Sequence, residues 1–483
     1  MSDKVGVGMP KFKDILVAFL PLVLLIGLIL LAVSVFGRDV GDGASQISLV
    51  FATGFAAALA VGVKRVPWQA LEKGITSSIS STSISILILL LIGMLSSAWM
   101  VGGVVPTLIC YGVKIMNPHL FLFCACLICA GVSLMTGTSW TTVATVGVAL
   151  LGIGTALGVP VAWSAGAIIS GAYFGDKISP LSDTTILASS STRTDLFVHI
   201  RYMLFTTVPS MLLALIIYLV AGFFLIDASS GNVTDCVAGL SRTFNITPGT
   251  LLVPLATVVL IVLKLPSLAI LFLSALFAAV SALVFEREAL MAVAGETVCT
   301  VKACYTALMT VFFSGTHLST GSEMLDKLVA TRGMSGMMGT IWLILCAVSF
   351  GGVMYAGGML KTIAEVLIAC VRSTAGLVGA TCVTGAVMNV ATGDQYISIL
   401  VSSDMFRDAY RERGYESRLL SRSIEDSSTV TSVLVPWNTC AMAQSTSLGV
   451  ATMAYLPFCF FNLISPFMSV FVAALGWRIA RNK

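Results

Sequence analysis

Two aspartates seven positions apart, Asp176 and Asp183, stand among Ser179, Ser182, Thr184 and Thr185, with the helix-breaking Pro180 between them. They close an apolar, glycine-spaced run, residues 166–175, that carries no charge of its own. Carboxylates in so apolar a setting are costly, and the usual reason to keep them is an ion or proton pathway. Hydroxyls and the carbonyls freed by a broken helix are the oxygens that a hard cation such as sodium prefers. The chemistry on offer is reversible binding of a cation or a proton. Asp183, with no base beside it and two threonines after it, is the foremost candidate, and Asp176, next to Lys177, the second.

A second set of residues repeats the theme. Thr136-Gly137-Thr138-Ser139-Trp140 has a partner in Thr392-Gly393-Asp394-Gln395-Tyr396, and Leu181-Ser182-Asp183-Thr184-Thr185 in Ile424-Glu425-Asp426-Ser427-Ser428. Each half thus holds a polar break in an apolar segment, followed by an acid next to hydroxyls. Paired interruptions of this kind point to a transport site at the interface of two halves. They add Thr136, Thr138, Ser139, Asp394, Glu425 and Asp426 to the candidates, with Ser182 and Thr184 from the first motif. Asp394 is alone in an uncharged run from Ser373 to Ser403. Of Glu425 and Asp426, one is expected to be a surface acid. Asn438, after the break at Pro436, offers a carbonyl oxygen as a further cation ligand.

The elements that must position these residues are membrane helices. The 483 residues are 57% hydrophobic and only 10% charged, against about a quarter charged in soluble domains, and the mean hydropathy is +0.99. Uncharged stretches such as Ile15–Phe36 and Gly43–Val63 cover the roughly 20 residues a spanning helix needs. The segmentation predicts about 11–13 helices, an all-α polytopic membrane protein. It divides into a terminus over 1–14, a first half over 15–226, an exterior loop over 227–248, a second half over 249–477 and a terminus over 478–483. Lys64, Arg65 and Lys73 on one loop, and Arg478, Arg481 and Lys483 at the end, place both termini in the cytoplasm by the positive-inside rule. The exterior loops then include 37–42 and the sequons at Asn232 and Asn245. The arginine-dense stretch 404–422 reads as a solvated amphipathic helix, and His119, His199 and His317 as interfacial residues. No phosphate-binding loop, dinucleotide fingerprint or zinc motif is present in the sequence, so an ATP-driven pump, a membrane enzyme and a cofactor are not expected. The net charge of +4 lies in loops and gives no reason to invoke nucleic acid.

Residues 136–140, 166–185, 392–396 and 421–440 together resemble the NhaC family of sodium/proton antiporters, within the wider ion-transporter superfamily. The Gly175-Asp-Lys-Ile-Ser-Pro-Leu-Ser-Asp-Thr-Thr185 stretch is similar to that family's signature, and Leu420–Asp426 and Pro436–Cys440 support it. The resemblance implies two inverted-topology repeats with broken or re-entrant helices meeting at the midplane. It also implies residence in the cytoplasmic membrane, as one chain or as a homodimer, and sodium ions and protons as the transported species. The family includes malate–lactate exchangers, so a sodium- or proton-coupled carrier of a small organic anion or amino acid stands as the alternative. A lysine or arginine facing the site would favour that alternative, and Lys177 is the residue placed to serve.

Overall fold

A computed structural model describes residues 9–36, 43–225, 233–321, 323–369 and 371–482. Loop 37–42 and the sequon residue Asn232 lie outside the described residues. The described chain is helical, with one isolated bridge between Tyr415 and Arg481. Nine of its helices are long and apolar enough to cross a membrane, and two bent pairs raise that number to eleven.

Helices α1 (Phe12–Phe36), α2 (Ala44–Gly62) and α3 (Trp68–Val101) lead into a unit that carries the first set of motifs. That unit comprises α4 (Phe121–Thr136), α5 (Ser139–Ala156), α6 (Val161–Ile178), α7 (Asp183–Ser191) and α8 (Leu196–Leu225). A Cβ on Gly154 would strike the Phe121 ring, so α5 returns to the face where α4 began. The pair α4–α5 is a re-entrant hairpin turned at Gly137, whose φ of 68° suits glycine. Gly171 and Gly175 of α6 lie against the backbone of Cys126 and Ala130, which lets α4 and α6 pack side by side in the same direction.

After α9 (Ser267–Phe285) and α10 (Met338–Ala356), the second unit repeats the plan. Helices α11 (Thr374–Thr392) and α12 (Gln395–Glu412) form a hairpin turned at Gly393, φ 63°. The hairpin's two ends are tied by a 2.6 Å hydrogen bond between Thr374 and Tyr415. Then come α13 (Ser417–Ile424), continued through a π-helical turn Glu425–Thr429, α14 (Thr439–Leu448) and α15 (Phe460–Ala474). Carbonyls displaced by the π turn are taken up by side chains: Asn389 Nδ2 donates to Ser428 O (2.7 Å) and Asn462 Nδ2 to Val430 O (2.9 Å).

The two units are inverted. Thr194, just before α8, bonds Ser417 at the start of α13, whereas Gly222 near the end of α8 meets His119 at the start of α4. Thirty residues of helix, about 45 Å at 1.5 Å per residue, separate those ends of α8. The units therefore start from opposite faces. The non-glycine residues with left-handed φ among the described residues are all basic: Arg65, Arg193, Lys264 and Arg478, at 50–58°. Each follows a helix end, where a cation offsets the negative pole of the helix dipole.

Two expectations change here. The stretch 404–422 is not wholly solvated, because Arg422 is completely buried. His199 is buried inside α8 and bonds Ser421 at 2.9 Å, whereas His119, with its ring Nδ1 3.1 Å from Gly222 O, sits at a helix entrance.

Candidate functional site

Two chain crossings define the centre. Helix α6 ends at Ile178 and α7 begins at Asp183, leaving an extended link over which Gly137 crosses: a Cβ there would lie 2.7 Å from the backbone of Leu181. In the second unit Gly393 crosses the link between α13 and α14. Its Cβ would lie 3.3 Å from Trp437 O, and its carbonyl accepts from Thr439 N–H at 2.9 Å. The geometry corrects the motif pairing read from the sequence. Residues 424–428 lie within a continuous helix, ahead of the break. The counterpart of Leu181-Ser182-Asp183 is Trp437-Asn438-Thr439.

At the first crossing a cavity of about 390 Å³ is lined by Thr138, Ser139, Asp176, Ser182, Asp183 and Thr184. Six of the eleven candidates from the sequence thus converge on one space. Asp176 is buried, and its Oδ2 accepts from the Ser139 N–H (3.0 Å) and Oγ–H (2.7 Å). Asp183 opens the first turn of α7 and is exposed, in contrast to the apolar setting its sequence context suggested. The far wall is formed by Ser81, Ile84, Ser85 and Ile88 of α3, with Ser267 at the start of α9. Gln395, Tyr396, Trp140 and Cys440 complete it. Among the described residues, no lysine, arginine or histidine lines it.

The other five candidates stand outside that space. Thr136 turns its hydroxyl to the carbonyls of Ser133 and Thr138, at 3.3 and 3.2 Å, closing its own helix end. Asp394 is buried and caps α12: its Oδ1 accepts from Ile397 N–H at 3.0 Å and its Oδ2 from the Thr439 hydroxyl at 3.4 Å. Its neighbours Gln395 and Tyr396 nonetheless face the cavity, so the two breaks do meet. Asn438 caps α14 through Cys440 N–H (3.0 Å) and donates to Asn389.

Glu425 and Asp426 are both fully buried, so neither is the surface acid expected. Glu425 Oε1 accepts from Thr184 at 3.3 Å, one residue behind the cavity wall, while its Oε2 has no hydrogen-bond partner. Asp426 pairs with Lys177 in a close contact and lies 3.9 Å from Arg422 Nε. Lys177 also donates to Ser465 Oγ at 3.0 Å, and the Arg422 guanidinium lies 4.9 Å from the Tyr202 ring centroid. Lys177 therefore does not pair with Asp176, its neighbour in sequence. Adjacent residues on a helix point in different directions, so Asp176 faces the cavity and Lys177 the second unit.

Sequence reasoning passed over Gln395, although it lies inside a quoted motif, and the serines of α3. The signal for the latter was there: residues 77–85 hold six serines and a threonine in the middle of an apolar span.

Residues 171–477 match the model of the Na+/H+ antiporter family. Similar proteins include the Na(+)/H(+) antiporter NhaC of Alkalihalophilus pseudofirmus, 36% identical, with 87% of this chain and 88% of that protein covered. The Na(+)/H(+) antiporter NhaC of Bacillus subtilis is 35% identical, with 84% and 87% covered. The Malate-2H(+)/Na(+)-lactate antiporter of Bacillus subtilis is 33% identical, with 86% of each chain covered. With its paired hairpins crossing paired helix breaks, the chain belongs to the Na+/H+ antiporter family.

Proposed function

We propose that the protein exchanges sodium ions for protons across the cytoplasmic membrane, with Asp176 and Asp183 as the carboxylates for which the two cations compete. The observation that carries this reading is the cavity at the first crossing, where two acids and several hydroxyls converge without a cationic side chain. An empty carboxylate site is costly to move through a low-dielectric barrier, whereas one neutralised by sodium or a proton is not. Competition for one site then couples the two flows. Thr138, Ser139, Ser182 and Thr184 supply neutral oxygens of the kind a hard cation takes. Asp426, already matched by Lys177 and Arg422, serves as a fixed counter-charge that holds the two units in register.

The face bearing Lys64, Arg65, Arg193 and Arg478 is assigned to the cytoplasm by the positive-inside rule. Exchange of an organic anion is the weaker reading, because Lys177 is occupied by Asp426 and Ser465 and lies away from the cavity lining. Transport by purified protein in vesicles, with sodium and candidate organic acids varied separately, tests the choice. Proton movement driven by a sodium gradient with no organic acid present is expected. Movement that requires malate, lactate or an amino acid would overturn it.

A further inference from the structure

We infer that the cavity at the first crossing also accepts small organic ammonium ions, which compete with sodium there; this deepens the exchange reading and rests on it. The first reason is size. About 390 Å³ of space corresponds to about a dozen waters at roughly 30 Å³ each and falls within the roughly 300–1,000 Å³ of small-molecule sites. One sodium ion with four or five protein oxygens would leave most of it empty.

The second reason is the lining, which is divided. Asp176 and Asp183 supply the negative charge, with Thr138, Ser139, Ser182 and Thr184 around them. Ile84 and Ile88 of α3, Trp140 and Tyr396 supply hydrocarbon and aromatic surface in the same cavity. An ammonium head on the acids with alkyl groups against these side chains satisfies both parts. Alkylated cations gain from aromatic faces as well as from carboxylates, by about 2 kcal/mol when desolvated. A hydrated metal ion alone gives the apolar wall nothing to bind. An organic anion would meet two carboxylates with no cation among the described lining residues, and the Lys177 ammonium is held by Asp426 and Ser465.

The test uses the purified full chain in detergent at fixed pH, where no proton gradient can be collapsed by a permeant amine. Sodium binding is titrated alone and in the presence of tetramethylammonium, ethylammonium or propionate, and direct binding of each organic ion is measured in parallel. Tetramethylammonium has no proton to release, so its effect cannot be one of pH. Both ammonium ions are expected to bind and to raise the half-saturating sodium concentration in proportion to their own concentration, while propionate does neither. Trp140→Leu, which removes an aromatic face, should weaken tetramethylammonium about tenfold more than sodium, the size of a lost cation–π contact, and Ile84→Ser, which removes apolar surface, should weaken it in the same direction. Two variants guard against one failing to fold. Normal sodium binding undisturbed by either ammonium ion would overturn the inference and leave the exchange reading standing, as would propionate competing as well as they do. Ammonium binding with no sodium binding would instead strike the exchange reading.

Discussion

The two crossings share a backbone plan and differ in chemistry. At each, a left-handed glycine, Gly137 or Gly393, turns a hairpin directly over the extended link of a broken helix. At the second crossing the polar groups are spent on one another: Asp394 caps α12, Gln395 accepts from Ser432 at 2.8 Å, and Asn438 caps α14. At the first crossing Ser139 donates to Asp176 in the position where Ser432 donates to Gln395, so the same contact carries a charge there. The acid and hydroxyl positions are also exchanged: Asp394 meets Thr439, whereas their counterparts are Thr138 and Asp183. One crossing is filled and the other hollow. An inverted repeat thus supplies a scaffold with two breaks, and substitution within it fills one and leaves the other lining a cavity.

The largest effects should come from charges. Asp176→Asn should reduce exchange by up to about 100-fold, the order of a lost charged hydrogen bond of up to about 3 kcal/mol. Its mirror, Ser432→Ala, should cost less than about tenfold. Sodium-driven proton flux in vesicles compares them, and equal losses would erase the distinction between the crossings.

Next comes the buried pair. Asp426→Asn should destabilise the protein by about 3–5 kcal/mol, because it leaves the buried Lys177 and Arg422 without their shared carboxylate, whereas Lys177→Met, which leaves Asp426 to Arg422, should cost less. Thermal unfolding in detergent measures this. A single variant as stable as the parent would show that the pair does not hold the units together.

Backbone substitutions should be smaller and graded. Gly137→Ala and Gly393→Ala combine left-handed strain with a close contact, and each should cost about 1–3 kcal/mol. Gly414→Ala, at φ 73° with nothing within 4 Å of the added methyl, should cost only the strain, about 1 kcal/mol. The same unfolding measurement separates contact from strain, and equal costs at all three sites would remove the close crossings from the argument.

Smallest is Asp394. Alanine there should cost about 1 kcal/mol through the lost cap, asparagine little, and the half-saturating sodium concentration should move far less than for Asp183→Asn. A larger shift at Asp394 would make the second crossing part of the ion site.

Much of this was legible in the chain. Composition required helices in lipid, and Gly137 and Gly393 marked both hairpins, because only a few residue types tolerate the turn each makes. Thr138, Ser139, Asp176, Ser182, Asp183 and Thr184 were named before any coordinates and converge on one cavity. The pairing of Asp183 with Asp426 was not correct, since like residue types recur along helices without occupying like positions. The spacing mismatch between the motifs was the visible warning: Gly137 to Asp183 spans 46 residues, and Gly393 to Asp426 spans 33.

Sequence by itself determined the solvent, the helical class, the two breaks and the residue types that bind a cation, since each follows from local hydropathy, backbone freedom and side-chain chemistry. Which acids share a space and which are neutralised was decided only by tertiary structure. Asp176 and Lys177 are adjacent in the chain, yet helical geometry sends one to the cavity and the other to Asp426, 249 residues away. That partnership, and with it the difference between a hollow crossing and a filled one, exists only once the second unit is folded against the first.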